Sequence, residues 1–386
     1  MQNKELGIYI HIPFCKQKCY YCDFISYSDK CNQISNYIDS LIKEIEGFDF
    51  SNYKVTSIYI GGGTPSYVDS KYIKQILTKL HKKVDFKEVE ITIEVNPGTV
   101  TRKKLQDYKE QGINRISIGL QSTKDRLLRQ IGRIHTYQEF LEAYYLAKEV
   151  GFKNINVDLM LGLPNQTIQD LKESLNKIIE LNPNHVSVYS LIVEEGTKIA
   201  KLLQEGKIEL PEEEQERNMY WYVKNQLELN GYHHYEISNF AKEGKESRHN
   251  MNCWNQEEYI GFGVAAHSYI NNVRFSNTSN IEEYIENMND ANYQKNVTIE
   301  EKQTLEDKRN EFMMLGFRKL DGVNISKFKE KFIENPIFLY RYKLNKLSAE
   351  GLIEIDLNHI KLTNKGLDFA NLVFEEFVTI HSDLVL

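Results

Sequence analysis

The sequence predicts an α/β protein: a partial (β/α)6 barrel of the TIM type, followed by a C-terminal α+β domain of winged-helix-like shape. Six short runs rich in Ile, Val and Tyr recur before residue 200, as strands do. The segments between them carry apolar residues at helical spacing. From about residue 300 the pattern changes to helix, helix, hairpin and helix. Strands that alternate with helices indicate a parallel sheet, and the later change indicates a second domain.

The six predicted strands end in most cases at Gly, Pro or Asn, which interrupt strands. They are GIYIHIP (7–13), SIYIGGG (57–63), VEITIEVNP (89–97), RISIGLQS (115–122), INVDLMLGLP (155–164) and HVSVYSLIV (185–193). Segments such as ISNYIDSLIKEIEGF and TYQEFLEAYYLAKEVGF are predicted helices between them. Because only six such units precede residue 200, we expect an open barrel rather than a closed one of eight strands.

The rest of the chain divides into two further regions. We expect the barrel over 1–200, a barrel extension and linker over 201–299, and a winged-helix-like domain over 300–386. The extension contains a predicted helix, EEEQERNMYWYVKNQLELNGY, and a predicted loop, SRHNMNCWNQEEYIGFGVAAHSY, which carries an HNxxCW motif. Winged helices often bind DNA, but residues 301–386 hold 13 Lys plus Arg against 14 Asp plus Glu. This balance favours a structural role for the last domain.

Composition narrows the class of protein. The net charge of −7 argues against nucleic acid as the main partner, because phosphate binding needs a basic surface. No run of about 18 apolar residues predicts a membrane span, and the first residues lack the pattern of a signal peptide. Five cysteines, three of them clustered, do not resemble a disulfide framework. We therefore expect a protein of the reducing cytoplasm.

Three cysteines, Cys15, Cys19 and Cys22, follow the first predicted strand with the spacing C-x3-C-x2-C. Structural zinc needs four ligands, and His11, Asp23 and Cys31 are candidates for the fourth, though none sits at knuckle spacing. A redox C-x-x-C pair would leave Cys15 unexplained. A cubane iron–sulfur cluster can be held by thiolates, and three of them leave one iron open to a substrate. The spacing favours the cluster, with zinc and accidental clustering as alternatives.

Polar residues gather at the C-terminal ends of the predicted strands, the face where βα barrels build active sites. Glu94 and Asn96 end the third strand, Gln121 ends the fourth and Asp158 lies within the fifth. The glycines of GGGTP form a turn after the second strand, but no Walker loop, because Lys and Ser/Thr do not follow at the required spacing. Asp158 stands among apolar residues, where an unpaired carboxylate is costly to bury. We expect a binding site at this face.

These motifs, in this order, resemble the radical S-adenosylmethionine (SAM) superfamily. YIHIPFC…CYYCDF, GGGTP, IEVNP, GLQS, GRIH and DLMLGLP are similar to its coproporphyrinogen-oxidase-like branch, from about residue 7 to beyond 270. The HNMNCW stretch and the C-terminal region fit the same branch. The resemblance implies a 4Fe–4S cluster on Cys15, Cys19 and Cys22, whose open iron chelates the amino and carboxylate groups of SAM. An electron from the reduced cluster would then release a 5′-deoxyadenosyl radical.

The resemblance also implies a set of SAM-binding residues, without identifying a catalytic one. The set comprises Tyr9, Tyr21, Gly62, Gly63, Thr64, Glu94, Gln121, Arg133 and Asp158. Within it, the glycine turn would contact the methionyl amine, Arg133 would reach the SAM carboxylate, and Asp158 would take a ribose hydroxyl.

Two kinds of protein share these motifs: oxygen-independent oxidases that decarboxylate two propionates of coproporphyrinogen III, and haem chaperones. The oxidases continue their cluster motif as C-x-C, where this chain has Phe24, and they carry a long N-terminal extension before it. RHNMNCW resembles the chaperones' HN-x-x-Y-W signature, in which His249, Asn250 and Trp254 match but Cys253 stands where Tyr is expected. A thiolate or an imidazole can ligate haem iron. The resemblance therefore implies a haem chaperone with a haem site at His249 and Cys253, and the oxidase is the alternative.

The sequence also contains further candidate haem ligands, and the resemblance implies partner proteins. His267, His233 and His234 are weaker haem-ligand candidates. The resemblance implies haem-acceptor proteins as partners, including respiratory-chain enzymes at the membrane, and an electron donor such as a flavodoxin or ferredoxin. It leaves open whether SAM is turned over and whether the chain forms a dimer. A zinc-stabilised regulator that uses the winged helix is a third, non-enzymatic interpretation.

Overall fold

The first part of the chain alternates strands and helices. The structure, a computed structural model, describes residues 4–290 and 293–378. In chain order the first elements are β1 (Lys4–Ile12), α1 (Ile34–Gly47), β2 (Tyr53–Gly62), α2 (Ser70–His81), β3 (Glu90–Val95), α3 (Arg102–Glu110), β4 (Arg115–Gln121), α4 (Asp125–Gln130), α5 (Tyr137–Val150), β5 (Ile155–Leu161), α6 (Ile168–Leu181) and β6 (His185–Ser190). All six predicted strands are confirmed, with ends shifted by a few residues.

The middle region adds strands to both edges of the same sheet. Its elements are α7 (Lys198–Gln204), α8 (Glu213–Leu229), β7 (His233–Glu236), β8 (Asn239–Ala241), α9 (Arg248–Trp254), β9 (Glu258–Phe262), β10 (His267–Ile270), β11 (Val273–Asn277), α10 (Ile281–Asn289) and β12 (Val297–Lys302). The described strands run in the order β12-β11-β10-β9-β1-β2-β3-β4-β5-β6-β8-β7. The two end strands, β12 and β7, are not paired with each other, so the predicted partial barrel is confirmed.

The prediction of a loop around HNMNCW is wrong. Residues 248–254 form α9, whose first turn is capped by the side chain of Ser247, which accepts a hydrogen bond from the Asn250 N–H. The following EYIGF segment forms β9 and pairs in parallel with β1, from Leu6 opposite Glu258 to Ile10 opposite Phe262. Both elements are too short for a clear sequence period, so only pairing with a distant strand reveals them. β9 makes a seventh parallel strand beside the six that were predicted.

Apolar residues of the strands and helices form the main core, which includes Ile10, Ile60, Ile118 and Leu175, all fully buried. Parallel strands covered by helices bury apolar side chains in this way. On the main sheet, by contrast, buried polar groups link neighbouring strands. Asn156 Nδ2 donates to Ser117 Oγ at 2.8 Å, and His185 pairs with Asn156 Oδ1 at 2.6 Å and with Tyr235 OH at 2.8 Å. Polar side chains are therefore held inside the protein below the strand ends.

The C-terminal region has a hydrophobic core of its own, which includes Phe317, Phe328, Leu344, Ile360 and Val373. Its elements are α11 (Leu305–Gly316), β13 (Val323–Asn324), α12 (Ile325–Phe332), α13 (Pro336–Leu339), α14 (Arg341–Ala349), β14 (Ile353–Ile355), β15 (His359–Leu362), α15 (Asn364–Asp368) and α16 (Ala370–Glu375). The strands form a three-stranded antiparallel sheet in the order β13-β15-β14. The predicted helix followed by two short strands is confirmed as α14, β14 and β15.

The C-terminal region is docked against the main sheet and against the end of α9. The Arg318 guanidinium lies 4.4 Å from the centre of the Trp254 ring. Lys319 Nζ donates to Asn255 Oδ1 at 2.7 Å, and the Trp221 indole N–H donates to Asp368 at 2.8 Å. The Arg318 and Lys319 contacts fix the C-terminal end of α9, so the position of this short helix depends on both parts of the chain, and the Trp221 contact ties α8 to the same region. Across the described ranges, the helices include none of the length and apolarity needed to cross a membrane.

Candidate functional site

The cysteine segment begins directly after β1 and is closed on itself. The Cys15 N–H donates to the Tyr27 carbonyl at 2.9 Å, and the Tyr27 N–H donates to the Pro13 carbonyl at 2.7 Å. This pairing brings the two ends of the segment together and holds Cys19 and Cys22 above the end of β1. The thiol of Cys15 accepts a hydrogen bond from Thr64 Oγ1 at 3.4 Å. The segment is therefore tied to the glycine turn that follows β2.

Burial raises the pKa of two thiols in this segment. It raises the pKa of Cys15, to which the neighbouring Cys19 adds, and it raises the pKa of Cys22 to about 11, to which Cys19 and Cys15 add. All five cysteines of the chain are free thiols. A coordinated metal deprotonates its thiol ligands outright, so such thiols need the charge of the iron to become ligands.

The three cysteines line one cavity of about 180 Å³, which we call the cluster cavity. The cavity also contains eight of the nine predicted SAM residues: Tyr21, Gly62, Gly63, Thr64, Glu94, Gln121, Arg133 and Asp158. Within residues 4–290 and 293–378, no three His, Cys, Asp or Glu side chains are grouped to hold a single metal ion. The three cysteines therefore face one shared space beside the glycine turn.

His11 and Tyr9 lie outside this cavity. His11, a candidate zinc ligand in the sequence, engages both ring nitrogens within the protein: Nδ1 pairs with Tyr9 OH and Nε2 with the Ile25 carbonyl, each at 2.9 Å. The Tyr9 hydroxyl is therefore turned to His11, and Tyr9 lines the neighbouring cavity instead.

The glycine turn after β2 makes room for a close backbone approach. Gly62 has φ +108°, and a Cβ there would lie 2.5 Å from the His11 ring. A Cβ on Gly63 would lie 2.9 Å from the Pro13 carbonyl carbon. The Gly63 N–H donates to the Ile12 carbonyl at 3.0 Å, which joins the turn to the end of β1. Any side chain at these two positions would push the turn away from the cysteine segment.

Glu94, Asp158 and Arg133 lie together in the wall of the cluster cavity, which Lys18 also lines. Burial raises the pKa of Glu94 to about 7, and Glu94 accepts a hydrogen bond from Tyr59 OH at 2.7 Å. Burial also raises the pKa of Asp158, although Asn156 Nδ2 donates to it at 2.6 Å. Arg133 Nη2 donates to the Gly119 carbonyl at 2.6 Å, while the buried Arg133 Nε has no partner among the described residues. A ligand with both cationic and anionic groups fits this set.

Gln121 adds an amide to the same cavity through an unusual backbone conformation. Its φ is +67°, a left-handed conformation that side chains other than glycine adopt at a cost and that concentrates at functional sites. The pairing of β4 with β5 shifts register at this point, between Gly119 and Gln121. The irregularity turns the end of β4 and brings Gln121 to the cavity wall.

A second cavity of about 520 Å³ adjoins the first, and we call it the α9 cavity. Its lining combines residues of β1, α9, β9 and the approach to β10: Tyr9, His11, Asp23, Phe24, Ile25, Gly62, Glu94, His249, Cys253, Tyr259, Ala265 and His267. Three residues line both this cavity and the cluster cavity: Phe24, Gly62 and Glu94. His249 and Cys253, predicted together from the HNxxCW motif, are thus brought into one cavity.

His249 is buried but keeps one ring nitrogen available. Its Nδ1 pairs with Ser57 Oγ at 3.0 Å, and its ring stacks on Tyr59 with centroids 5.2 Å apart. None of the residues in 4–290 and 293–378 forms a hydrogen bond with its Nε2. Burial, with a further contribution from Arg115, lowers the pKa of His249 to about 4, so the imidazole is neutral at physiological pH. A neutral imidazole nitrogen is the form that ligates iron.

Cys253 and Trp254 differ in what they offer to a ligand. Burial raises the pKa of the Cys253 thiol to about 11, so the group is a neutral thiol. Trp254 is stacked against Arg318 of the C-terminal region and is absent from the lining of the α9 cavity. His267 lies at the exposed edge of the cavity and pairs with Glu300 at 3.2 Å.

The two remaining candidate histidines lie elsewhere. His233 is exposed on β7, and His234 stacks on Phe240 with centroids 4.2 Å apart. Sequence reasoning missed Tyr59, which touches both Glu94 and His249. Its position two residues before Gly61 on one strand was the available signal.

A third cavity, of about 480 Å³, lies over the ends of the later strands and includes Met160, Tyr189 and Ile192. Its polar groups include Glu94, Asp158, Asp23 and Glu194, which give it an acidic lining.

Comparisons with known proteins agree with the motifs. Residues 9–178 match the family described as the Radical SAM superfamily, and residues 303–369 match the HemN C-terminal domain. The chain is 38% identical to "Heme chaperone HemW" of Bacillus subtilis, over 96% of this chain and 98% of that protein. It is 36% identical to the protein of that name from Lactococcus lactis, over 98% of each, and 34% identical to that of Escherichia coli, over 97% and 98%.

A solved structure has the same fold at lower identity. Coproporphyrinogen III oxidase (HemN) from Escherichia coli, described as a radical SAM enzyme, superposes with a TM-score of 0.86 over 98% of this chain and 91% of that one, at 23% identity. At this identity the likeness shows the fold alone. The full-length similarity to the HemW proteins goes further: the chain belongs to the HemW family of the radical SAM superfamily.

Proposed function

We propose that this protein is a haem chaperone that carries a 4Fe–4S cluster and SAM in the cluster cavity and haem in the α9 cavity. Membership of the radical SAM superfamily implies the cluster and SAM. The similarity to proteins named as haem chaperones supports the haem role. The observation that carries the proposal is the adjoining cavity that unites His249 and Cys253 beside the three cysteines.

In the cluster cavity, the cluster is held by Cys15, Cys19 and Cys22. SAM is held by the other predicted residues that line the cavity: Tyr21, Gly62, Gly63, Thr64, Glu94, Gln121, Arg133 and Asp158. Tyr9 acts indirectly, through its hydrogen bond with His11. A reduced cluster of this kind supplies the electron that splits the sulfonium of SAM. The unpartnered Nε of Arg133 is a donor for the SAM carboxylate. Asp158, already oriented by Asn156, is an acceptor for the ribose hydroxyls.

In the α9 cavity, the size and the aromatic side chains of the lining suit a large ligand with apolar surface. Its size lies within the range of about 300–1,000 Å³ that small-molecule sites occupy. Tyr9, Phe24 and Tyr259 offer aromatic surfaces, and the neutral His249 offers Nε2 to iron. Because the Cys253 thiol stays protonated, we expect Cys253 to line the haem site and to be a weaker iron ligand than His249.

Haem titration of anaerobically reconstituted protein, followed by absorbance, tests this assignment. We expect His249→Ala to weaken haem binding at least tenfold, about 1.4 kcal/mol, and to shift the Soret band, because an axial nitrogen is lost. Cys253→Ser should change the Kd less than about threefold, since burial keeps that thiol protonated. His233→Ala removes an exposed imidazole outside the cavity and serves as the matched control.

Two outcomes would contradict the proposal, one for the iron ligand and one for the function. A larger loss in Cys253→Ser than in His249→Ala would make the cysteine the iron ligand. Conversion of coproporphyrinogen III to protoporphyrinogen IX by protein that binds no haem would favour the oxidase.

The proposal extends to partners and cell compartment. Haem-acceptor proteins would receive the haem, with respiratory-chain enzymes as candidates, and a flavodoxin or ferredoxin would reduce the cluster. Five free thiols suit a reducing cytoplasm. We propose three regions, 1–200, 201–299 and 300–386, with the last supporting α9 through Arg318 and Lys319. Dimer formation is a further proposal that size measurements in solution would test.

A further inference from the structure

Tyr59 connects the two cavities. Its hydroxyl donates to Glu94 Oε1 at 2.7 Å, and Glu94 lines both the cluster cavity and the α9 cavity. The face of its ring stacks on His249, with centroids 5.2 Å apart and planes 29° from parallel. One rigid side chain therefore touches a residue proposed for SAM and the residue proposed as haem ligand.

The strand that carries Tyr59 is built around this contact. Ser57, Tyr59 and Gly61 alternate along β2 and so point to one face. Ser57 Oγ pairs with His249 Nδ1 at 3.0 Å. A Cβ on Gly61 would lie 3.0 Å from Tyr59 Cε1 and 3.1 Å from Glu94 Cδ. The absence of a side chain at Gly61 is what allows the hydroxyl of Tyr59 to reach the carboxylate.

We propose that Tyr59 is a positioning residue that couples the two cavities, so that SAM binding strengthens haem binding. This inference rests on the proposed function. A ligand that holds Glu94 in the cluster cavity fixes the acceptor of the Tyr59 hydroxyl. The ordered Tyr59 ring then fixes the surface on which His249 stacks, and haem binds to an imidazole that is already in place. The ordering cost is met by the first ligand, which makes the second bind more tightly.

The coupling is measured as the ratio of haem Kd values without and with saturating SAM. In reconstituted wild-type protein we expect haem to bind about fivefold or more tightly when SAM is present, the lower range of typical coupling. SAM must gain the same factor from haem, because coupling between two binding sites is reciprocal. Tyr59→Phe keeps the ring but removes the hydroxyl, and its ratio should fall below about twofold.

Tyr232→Phe is the matched control. Tyr232 is buried, and its hydroxyl donates to the Pro183 carbonyl at 2.8 Å, outside both cavities. The control loses a buried tyrosyl hydrogen bond of the same kind and should keep the wild-type ratio. If Tyr59→Phe does not take up the cluster, Ser57→Ala tests the same path, because it removes the anchor of His249 that does not depend on Glu94. The position of His249 then depends on Tyr59 alone, so the ratio should rise above the wild-type value, and a ratio below it would overturn the coupling.

A haem Kd that is unchanged or weakened by SAM in the wild-type protein would overturn the coupling, as would a full wild-type ratio in Tyr59→Phe. These results differ from failure of the proposed function. In that case haem does not bind at all, with or without SAM, and no ratio exists.

Discussion

The cluster cavity and the α9 cavity have three lining residues in common but differ in size and charge. The first is small, about 180 Å³, and contains Glu94, Arg133 and Asp158 near its cysteines. The second is about 520 Å³ and presents a neutral imidazole, a protonated thiol and aromatic rings. A compact ligand with charges of both signs fits the first, and a large apolar ligand fits the second. Two adjoining cavities at the strand ends therefore suit chemically unlike ligands.

The largest effect that separates the cavities is loss of the cluster. Cys19→Ala removes one of three thiolates, and we expect iron to fall from about four per chain to near zero. In the absence of SAM, haem binding should stay within about threefold of the wild type, because Cys19 does not line the α9 cavity. Iron and sulfide analysis with haem titration measures both.

Cys31→Ala is the control for that experiment. Cys31 lies beside Tyr67, with its Sγ 3.2 Å from the Tyr67 hydroxyl, and lines neither cavity. It should retain full iron. A Cys19→Ala protein that lost haem as completely as iron would contradict the distinction between the two cavities.

A smaller effect is expected at the shared wall. Gly62→Ala places a Cβ 2.5 Å from the His11 ring at φ +108°. We expect the free energy of unfolding to drop by about 1–3 kcal/mol more than in Gly206→Ala, whose φ is +65° but whose Cβ meets nothing within 4 Å. Denaturant unfolding measures this difference.

The same variant should weaken both SAM and haem, because Gly62 lines both cavities. If Gly62→Ala weakened only one ligand, the two sites would not share this wall. Equal free energies of unfolding for the two alanine variants would show that the His11 ring moves away from the new Cβ without loss of stability.

The last effect is gradual and concerns pH. The pKa of Glu94 is raised from 4.5 to about 7, whereas that of His249 is lowered to about 4. In the unfolded chain Glu94 ionises near pH 4.5, while in the folded protein it holds its proton to about pH 7. Its contribution to stability is therefore full below pH 4.5 and is lost as pH rises to 7, by about 2–3 kcal/mol.

Glu94→Gln isolates this contribution from those of other buried carboxyl groups. Between pH 5 and 7.5, the stability of the wild-type protein should fall relative to the variant, as measured by denaturant unfolding at each pH. Parallel pH curves for the two proteins would mean that Glu94 is ionised throughout this range.

Much of the cluster cavity could be predicted because its chemistry lies in short stretches of sequence. Cys15, Cys19 and Cys22 stand within eight residues, and the glycine turn within four. Both follow strands whose apolar pattern is clear, so their place at the strand ends follows from the fold class. Tyr9 was the exception, because its hydroxyl is taken by His11 and its ring faces the α9 cavity.

The α9 cavity could be predicted only in part. The HNxxCW motif marked His249 and Cys253, but the segment was assigned to a loop, because a seven-residue helix and a five-residue strand show no clear period. β9 is recognisable only through its pairing with β1, some 250 residues earlier in the chain. The role of Trp254 was also hidden, since its partner Arg318 belongs to the C-terminal region.

By itself, then, the sequence determined the fold class, the three thiols for a cluster and the strand-end residues of the cluster cavity, because local spacing and strand periodicity encode them. Only the tertiary structure decided that β9 joins β1, that α9 closes a second cavity, and that Tyr59 lies between Glu94 and His249. Contacts between residues far apart in the chain depend on how strands and helices pack, and no local pattern records that packing.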